Sequence, residues 1–243
     1  MLKDSTMWYA SWFDTPYYHI LYKDRDDTEA HQFMDTLTSY LNLTTGEKIL
    51  DLACGKGRHS IYLNKLGYNV TGVDLSKNSI EYASQFKNKT LQFKVHDMSL
   101  PYSEKFAAVF NLFTSFGYFE NEENNLKTIK AIKSNLSDDG FGIIDFMNVE
   151  YVINNLVATE IKEVSGIQFH IKRYVEDGYI YKEIKFNDKG KDFLFEEKVK
   201  ALALQDFLHY FENAQVDLLS IFGDYQLKKF HKTDSPRLIL IFK

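Results

Sequence analysis

The stretch Lys48 to Leu75, K-I-L-D-L-A-C-G-K-G-R-H-S-I-Y-L-N-K-L-G-Y-N-V-T-G-V-D-L, limits the folds open to this chain more than any other. Ile49, Leu50 and Leu52 make a short apolar run broken by Asp51, and Gly55 and Gly57 follow at once, the pattern of a buried strand ending in a tight glycine turn. A helix is expected next, with Ile61, Leu63 and Leu66 on its apolar stripe and Gly67 closing it. Asn69 to Asp74 then reads as a second strand that ends in an acid. This is a βαβ unit whose first turn is a ligand loop. Its glycines let the backbone approach a ligand, the helix start offers N–H groups, and an acid about 20 residues on can accept ribose hydroxyls.

Two kinds of ligand use this arrangement. A dinucleotide fingerprint wants G-x-G-x-x-G or A, whereas here Ser60 holds the third position and bulky Arg58 and His59 precede it, which argues against NAD. D-L-A-C-G-K-G instead resembles the first motif of the class I S-adenosylmethionine-dependent methyltransferases. The resemblance implies that the loop wraps the methionine part of S-adenosylmethionine, with S-adenosylhomocysteine as product, and that Asp74 holds the ribose. On these grounds Asp51, Ala53, Gly55, Gly57, Arg58, Asp74 and Leu75 are expected to bind the cofactor.

With 243 residues the chain suits one α/β domain with additions, a size that buries roughly 70–75% of the unfolded surface. A net charge of −5 leaves no basic surplus for a phosphate backbone, so small molecules or proteins are expected as partners rather than a nucleic acid. Cys54 is the single cysteine; it excludes an intramolecular disulfide and fits a reducing compartment. No apolar run approaches the ~18 residues of a membrane span, and M-L-K-D-S-T lacks the apolar core of a signal peptide. The expectation is a soluble, cytoplasmic protein with no metal site.

Residues 8–22, W-Y-A-S-W-F-D-T-P-Y-Y-H-I-L-Y, are dense in aromatics and read as a lid or a hydrophobic anchor. In the resembling enzymes with small-molecule substrates, a Y-x-x-x-Y-like segment closes over the methionine end of the cofactor, and Tyr18 and Tyr22 have that spacing; core filling is the alternative. An amphipathic helix follows from about Thr28 to Leu41, with Ala30, Phe33, Met34, Leu37 and Leu41 at helical spacing. Lys77 to Phe86 reads as a helix capped by Ser76, with Ile80, Ala83 and Phe86 on one face. Leu91 to Val95 is a third strand ending at His96-Asp97-Met98. In the family an acid at this place accepts from the adenine amino group and the next backbone N–H meets adenine N1, which assigns Asp97 and Met98 to the cofactor unless Asp97 is a solvated loop acid.

Phe106 to Phe113 is a continuous apolar run broken by Asn111, the pattern of a buried fourth strand, and Asn111 joins the expected cofactor set. Thr114 to Phe119 then lies at the carboxyl edge of the sheet, where open α/β sheets bind ligands and the substrate is expected to meet the methyl group. Asn121 to Leu136 reads as a helix, Ser137-Asp138-Asp139-Gly140 as a turn and Phe141 to Phe146 as a fifth strand. The rhythm then changes. Glu160–Val164, Phe169–Val175, Tyr179–Phe186 and Phe193–Lys200 are strand-like runs joined by hairpin-length turns, an antiparallel meander. A helix at Ala203–Asn213 and strands at Val216–Phe222 and Arg237–Phe242 close the chain.

The fold expected is α/β: a Rossmann-like, mostly parallel seven-stranded sheet with helices on both faces and an inserted β meander. The domains are an N-terminal lid and helix (1–45), a cofactor-binding core (46–147), a substrate-side insertion (148–202) through which a homodimer would form, and closing elements (203–243). The architecture is similar to that of the aminosugar N,N-dimethyltransferases. Those enzymes read F-S-S-I-G-H-L at the edge of strand four where this chain has F-T-S-F-G-Y-F, so Tyr118 replaces their histidine. The expected activity is methyl transfer to a nitrogen or oxygen of a small molecule, the alternatives being an RNA or protein methyltransferase or a non-catalytic binding protein. An amine attacks with its free lone pair, while a hydroxyl gains from a base; Tyr118 and His170 are the candidates for proton acceptance or else structural side chains.

Overall fold

The structure, a computed structural model, describes residues 12–23 and 27–243. In chain order its elements are α1 (Pro16–Leu21), α2 (Asp27–Tyr40), β1 (Lys48–Leu52), α3 (Arg58–Lys65), β2 (Asn69–Asp74), α4 (Lys77–Ala83), β3 (Leu91–Val95) and β4 (Phe106–Asn111). Then follow α5 (Glu122–Asn135), β5 (Leu136–Met147), α6 (Val149–Asn154), β6 (Thr159–Val164), β7 (Ile167–Glu176), β8 (Tyr179–Asp188) and β9 (Lys191–Lys200). The chain closes with α7 (Leu204–Ala214), β10 (Leu218–Phe222) and β11 (Arg237–Phe242). Among the described residues, 27–152 and 202–243 form one compact unit, and 12–23 with 153–201 a second.

The larger unit is built on a seven-stranded sheet of order β10-β11-β5-β4-β1-β2-β3. β1 lies parallel to β2 and β4, β2 to β3 and β4 to β5, and β11 runs antiparallel to both β5 and β10. The chain winds outward from β1 through β2 to β3 and returns to place β4 on the other flank of β1, so the strand order reverses at β1/β4. At such a switch point the crevice beyond the strand carboxyl ends takes the ligand. Phe33, Met34 and Leu37 of α2 are fully buried in one core cluster with Ile49, Leu63, Val70, Phe110 and Ile239. Phe207 of α7 packs against Phe146 of β5 and against Phe116, and Phe211 against Phe242 of β11.

The smaller unit is the antiparallel meander β6-β7-β8-β9. Strand alternation puts Ile167, Phe169 and Ile171 inside and Gln168, His170 and Lys172 outside. Residues 12–23 supply the rest of its core, with Trp12 and Leu21 each 1% exposed beside Phe169, Ile184 and Phe186.

Three expectations differ from the structure. Ser137 to Gly140 is not a free turn but part of β5: the register passes from Phe106↔Leu136 to Ala108↔Phe141, so the extra residues bulge within the strand pair. Phe86 does not share the buried face of Ile80 and Ala83; the helix tightens to a 3₁₀ turn over Ser84–Phe86 and leaves Phe86 43% exposed. Helices α1 and α6, each six residues long, carry too little periodicity to be read from sequence. Among the described residues, no helix is long and apolar enough to cross a membrane.

Candidate functional site

The loop after β1 is held from within. Ala53, Gly55 and Gly57 all have positive φ (58°, 55° and 80°). A Cβ on Gly57 would lie 2.6 Å from the Phe93 ring, so close packing as well as backbone conformation requires glycine there. A Cβ on Gly55 would meet nothing within 4 Å, so this part of the loop borders open space. Asp51 is buried beneath it and accepts a hydrogen bond from Ser60 Oγ at 2.5 Å. Burial pushes its carboxyl up to about 7; the Ser60 bond opposes the rise and Asp74 adds to it. Burial likewise drives the Cys54 thiol well above its ordinary range, with Asp51 and Asp74 contributing, so Cys54 packs rather than attacks.

Asp74 closes the loop from β2. Its Oδ2 accepts the Gly55 N–H and its Oδ1 the Ser76 N–H, both at 2.8 Å, which fixes the carboxylate at the strand end. Leu75 beside it is 37% exposed. Asp97, half-buried after β3, accepts the Ser99 N–H at 2.8 Å. Asn111 ends β4 one position beyond the Asp51↔Phe110 pair. It is fully buried, its Nδ2 lies 3.6 Å from Met98 Sδ, and its Oδ1 has no hydrogen-bond partner among the described residues. An orphaned buried acceptor is costly unless something donates to it, and a ligand bearing an N–H or O–H would do so.

Arg58 opens α3, pairing with Asp27 Oδ1 at 2.9 Å while its guanidinium donates to His59 Nε2 from 2.9 and 3.2 Å. Since arginine only donates, that imidazole nitrogen is the acceptor. The His59 ring stacks on Phe113 at 4.4 Å. Phe113 and Thr114 follow β4 with φ of 55° and 62°, a left-handed pair of non-glycine residues that costs on the order of 1–3 kcal/mol per residue. Asp145 of β5, 0% exposed, accepts the Phe113 N–H at 2.7 Å and pairs with Arg237 of β11 at 2.7 Å. Burial raises the Asp145 pKa against the pull of Arg237 and the Phe113 amide; for Arg237 desolvation is the largest single effect and lowers the value, but the charge of Asp145, the influence of Tyr225, the hydrogen bond to Asp145 and the charge of Glu29 together outweigh it and hold the guanidinium above its usual value.

Tyr118 is half-buried in the loop between β4 and α5, between buried Phe116 and Phe119. His170 is exposed on β7, on the face of its sheet opposite Phe169 and Ile171. Tyr18 and Tyr22 belong to the smaller unit, their rings 4.9 Å apart. Tyr22 Oη and Trp12 Nε1 both donate to Glu197 Oε1, at 2.6 and 2.8 Å. Residues 8–11, 24 and 25 of the expected lid lie outside the described residues. Phe113, Asp145 and Arg237 do not stand out as site residues in the sequence, and Ser60 stands out there only as a departure from the dinucleotide fingerprint. A charge within the apolar run Phe141–Phe146 and another heading Arg237–Phe242 were the available signals.

A family model described as a methyltransferase domain matches residues 43–215. The chain is similar to YqeM of Bacillus subtilis (strain 168), which carries a methyltransferase name, with 31% identity over 152 residues, 58% of this chain and 62% of that protein. That match spans less than two thirds of the relative. It is similar to the glycine/sarcosine N-methyltransferase of Aphanothece halophytica, with 25% identity over 229 residues, 90% of this chain and 83% of that one. Among solved structures, an S-adenosylmethionine-dependent methyltransferase from Clostridium acetobutylicum ATCC 824 matches with a TM-score of 0.78 at 24% identity, covering 93% of this chain and 95% of that one. CalS10, an amino pentose methyltransferase from Micromonospora echinaspora, matches with a TM-score of 0.72 at 14% identity, covering 94% and 96%. These two likenesses show the fold.

Proposed function

Because the chain belongs to the S-adenosylmethionine-dependent methyltransferases, we propose that it transfers the methyl group to a nitrogen or oxygen of a small molecule. The observation that carries this reading is the orphaned, buried Asn111 Oδ1 at the β1/β4 switch point, with the fixed carboxylate of Asp74 ending β2 on the other flank of β1. When bound, the cofactor supplies a methyl group on a positively charged sulfonium. Asp74, held by the Gly55 and Ser76 amides, accepts from the ribose hydroxyls. Ala53, Gly55, Gly57 and Arg58 line the methionine side, above buried Asp51. Asp97 with the Met98 and Leu75 backbone takes the adenine side, and Asn111 accepts from an ammonium or an amine.

The protein's task in such a transfer is orientation, worth up to roughly 7–11 kcal/mol when a nucleophile is held in line. Thr114 to Phe119 receives the acceptor in this reading. An amine needs no base, whereas a hydroxyl acceptor would hand its proton to Tyr118 acting as a phenolate, since the neutral phenol already holds its proton. His170 is exposed, and an exposed imidazole lacks the exclusion of water that favours a transfer site, so the role goes to Tyr118. Tyr18 and Tyr22 add to cofactor affinity. A homodimer forms through the outer face of the meander, where Ile161 and Leu194 are 64% and 62% exposed.

Incubation with methyl-labelled S-adenosylmethionine and a metabolite extract tests the proposal. Label is expected in a low-mass product; label confined to RNA or protein would replace the small-molecule reading, and no label with intact cofactor binding would leave a binding protein. Alanine at both Tyr18 and Tyr22 should weaken S-adenosylhomocysteine binding in calorimetry. Unchanged affinity would remove them from the site.

A further inference from the structure

The Asp145–Arg237 pair is left unused by the cofactor-binding scheme, and stability does not account for it. Asp145 interrupts the apolar run Ile143-Ile144-Asp145-Phe146, and Arg237 heads Leu238 to Phe242, all buried. Replacing a buried ion pair by well-packed apolar residues is often neutral or stabilising, so a pair in such strands needs another reason to be there. Its contacts supply one. Asp145 Oδ2 accepts the Phe113 N–H at 2.7 Å, and the Asp145 carbonyl accepts the Thr114 N–H at 3.0 Å. Arg237 Nε donates to Asp145 Oδ1 at 2.8 Å while Nη2 reaches across to Thr114 Oγ1 at 3.0 Å. The guanidinium also lies over the Tyr225 ring at 5.4 Å, and Tyr225 packs on Phe113 at 5.5 Å.

Four of these contacts end on the two left-handed residues that follow β4, and the other two join Arg237 to Asp145 and Tyr225, which make three of those four. Non-glycine residues persist in that conformation only where the surroundings over-determine them. We propose that Arg237, seated on Asp145, is a positioning residue for methyl transfer: it holds the Phe113–Thr114 turn, and so aims the loop Ser115 to Phe119 that receives the acceptor. The proposal rests on the acceptor-loop reading given above. It implies that Arg237 sets the rate of transfer and leaves cofactor binding alone, because the Gly55–Asp74 contacts are made without it.

Three variants test it. Thr114→Val deletes only the acceptor of the Arg237 bond, Arg237→Lys keeps the charge beside Asp145 but loses the arm to Thr114, and Thr114→Ser restores the hydroxyl. Rates of label transfer from S-adenosylmethionine into the low-mass product are measured at saturating cofactor, with S-adenosylhomocysteine affinity by calorimetry alongside. The first two should lose about 10- to 100-fold in rate, as a misaimed acceptor does, with cofactor affinity unchanged, and Thr114→Ser should recover the rate. If Arg237→Lys does not fold, Thr114→Val decides. Unchanged rates in the folded variants, or cofactor affinity and melting temperature falling in step with rate, would overturn the positioning role alone. A wild-type protein that labels no small molecule refutes the acceptor-loop reading and this proposal with it.

Discussion

Asp51 carries a carboxyl whose charge is expensive where it sits, and that cost links the cofactor site to pH. Its folded pKa of about 7 stands above the ordinary 3.8, mainly through burial. The folded state therefore holds the proton more tightly than the unfolded chain. The resulting stability is fully present below about pH 4, is lost as pH rises to about 7, and amounts to a few kcal/mol in order of magnitude. Asp51→Asn is neutral throughout, so its urea-unfolding stability should lack this decline between pH 4 and pH 8. A bound sulfonium and ammonium favour the ionised form, so S-adenosylmethionine binding near pH 6 should release a proton, visible as buffer-dependent heat in calorimetry. Asp74 is anchored by two backbone amides. Asp74→Ala should weaken cofactor affinity by about 1.5–3 kcal/mol, the worth of a hydrogen bond to a charged group.

The contact between α3 and β2 shows how an element sets the loop. A Cβ on Gly72 would come within 2.7 Å of both the Phe93 ring and Ser60 Oγ. Close helix–strand packing, which a dinucleotide fold obtains from a small third residue in its loop, is provided here from the strand side by Gly72. Gly72→Ala must push either the ring or Ser60 aside, and Ser60 is the donor to Asp51. The variant should lose about 1–3 kcal/mol of stability by overpacking and also weaken S-adenosylhomocysteine binding. Urea midpoints and calorimetry measure the two effects; a loss of stability without loss of affinity would mean that Phe93 moves and the Ser60–Asp51 bond stays.

Across the whole molecule, two cores serve two sheets. Trp12 is buried against Phe195 at 4.5 Å and bonded to Glu197, so the smaller unit owes part of its core to residues far from it in sequence. Trp12→Ala should cost about 3–5 kcal/mol, the range for emptying a large aromatic site. Hydrogen exchange should rise in β7 to β9 and stay as in the wild type in β1, β2, β4 and β5. Added S-adenosylhomocysteine should protect the larger unit by linkage. Equal loss of protection in both sheets would mean that the two units unfold together.

The bounds of β2, β3 and β11, the existence of β1, and the glycine loop with its acid, were legible in the sequence because each is written in local terms: apolar runs, glycines and a strand-ending carboxylate. The resemblance of D-L-A-C-G-K-G carried the cofactor. Tertiary structure alone decided what no local window contains. Asp145 and Arg237 are 92 residues apart and Trp12 and Glu197 185 apart, so their pairing depends on how strands and segments stack. Helix α1, six residues long and too short to stand by itself, takes its form from the meander it packs on. Asn111 reads in sequence as a polar break in a strand; only burial on all sides makes its Oδ1 an acceptor in want of a donor. A charge or amide acquires its meaning from the solvent it has lost, and that loss is a property of the packed molecule rather than of the chain.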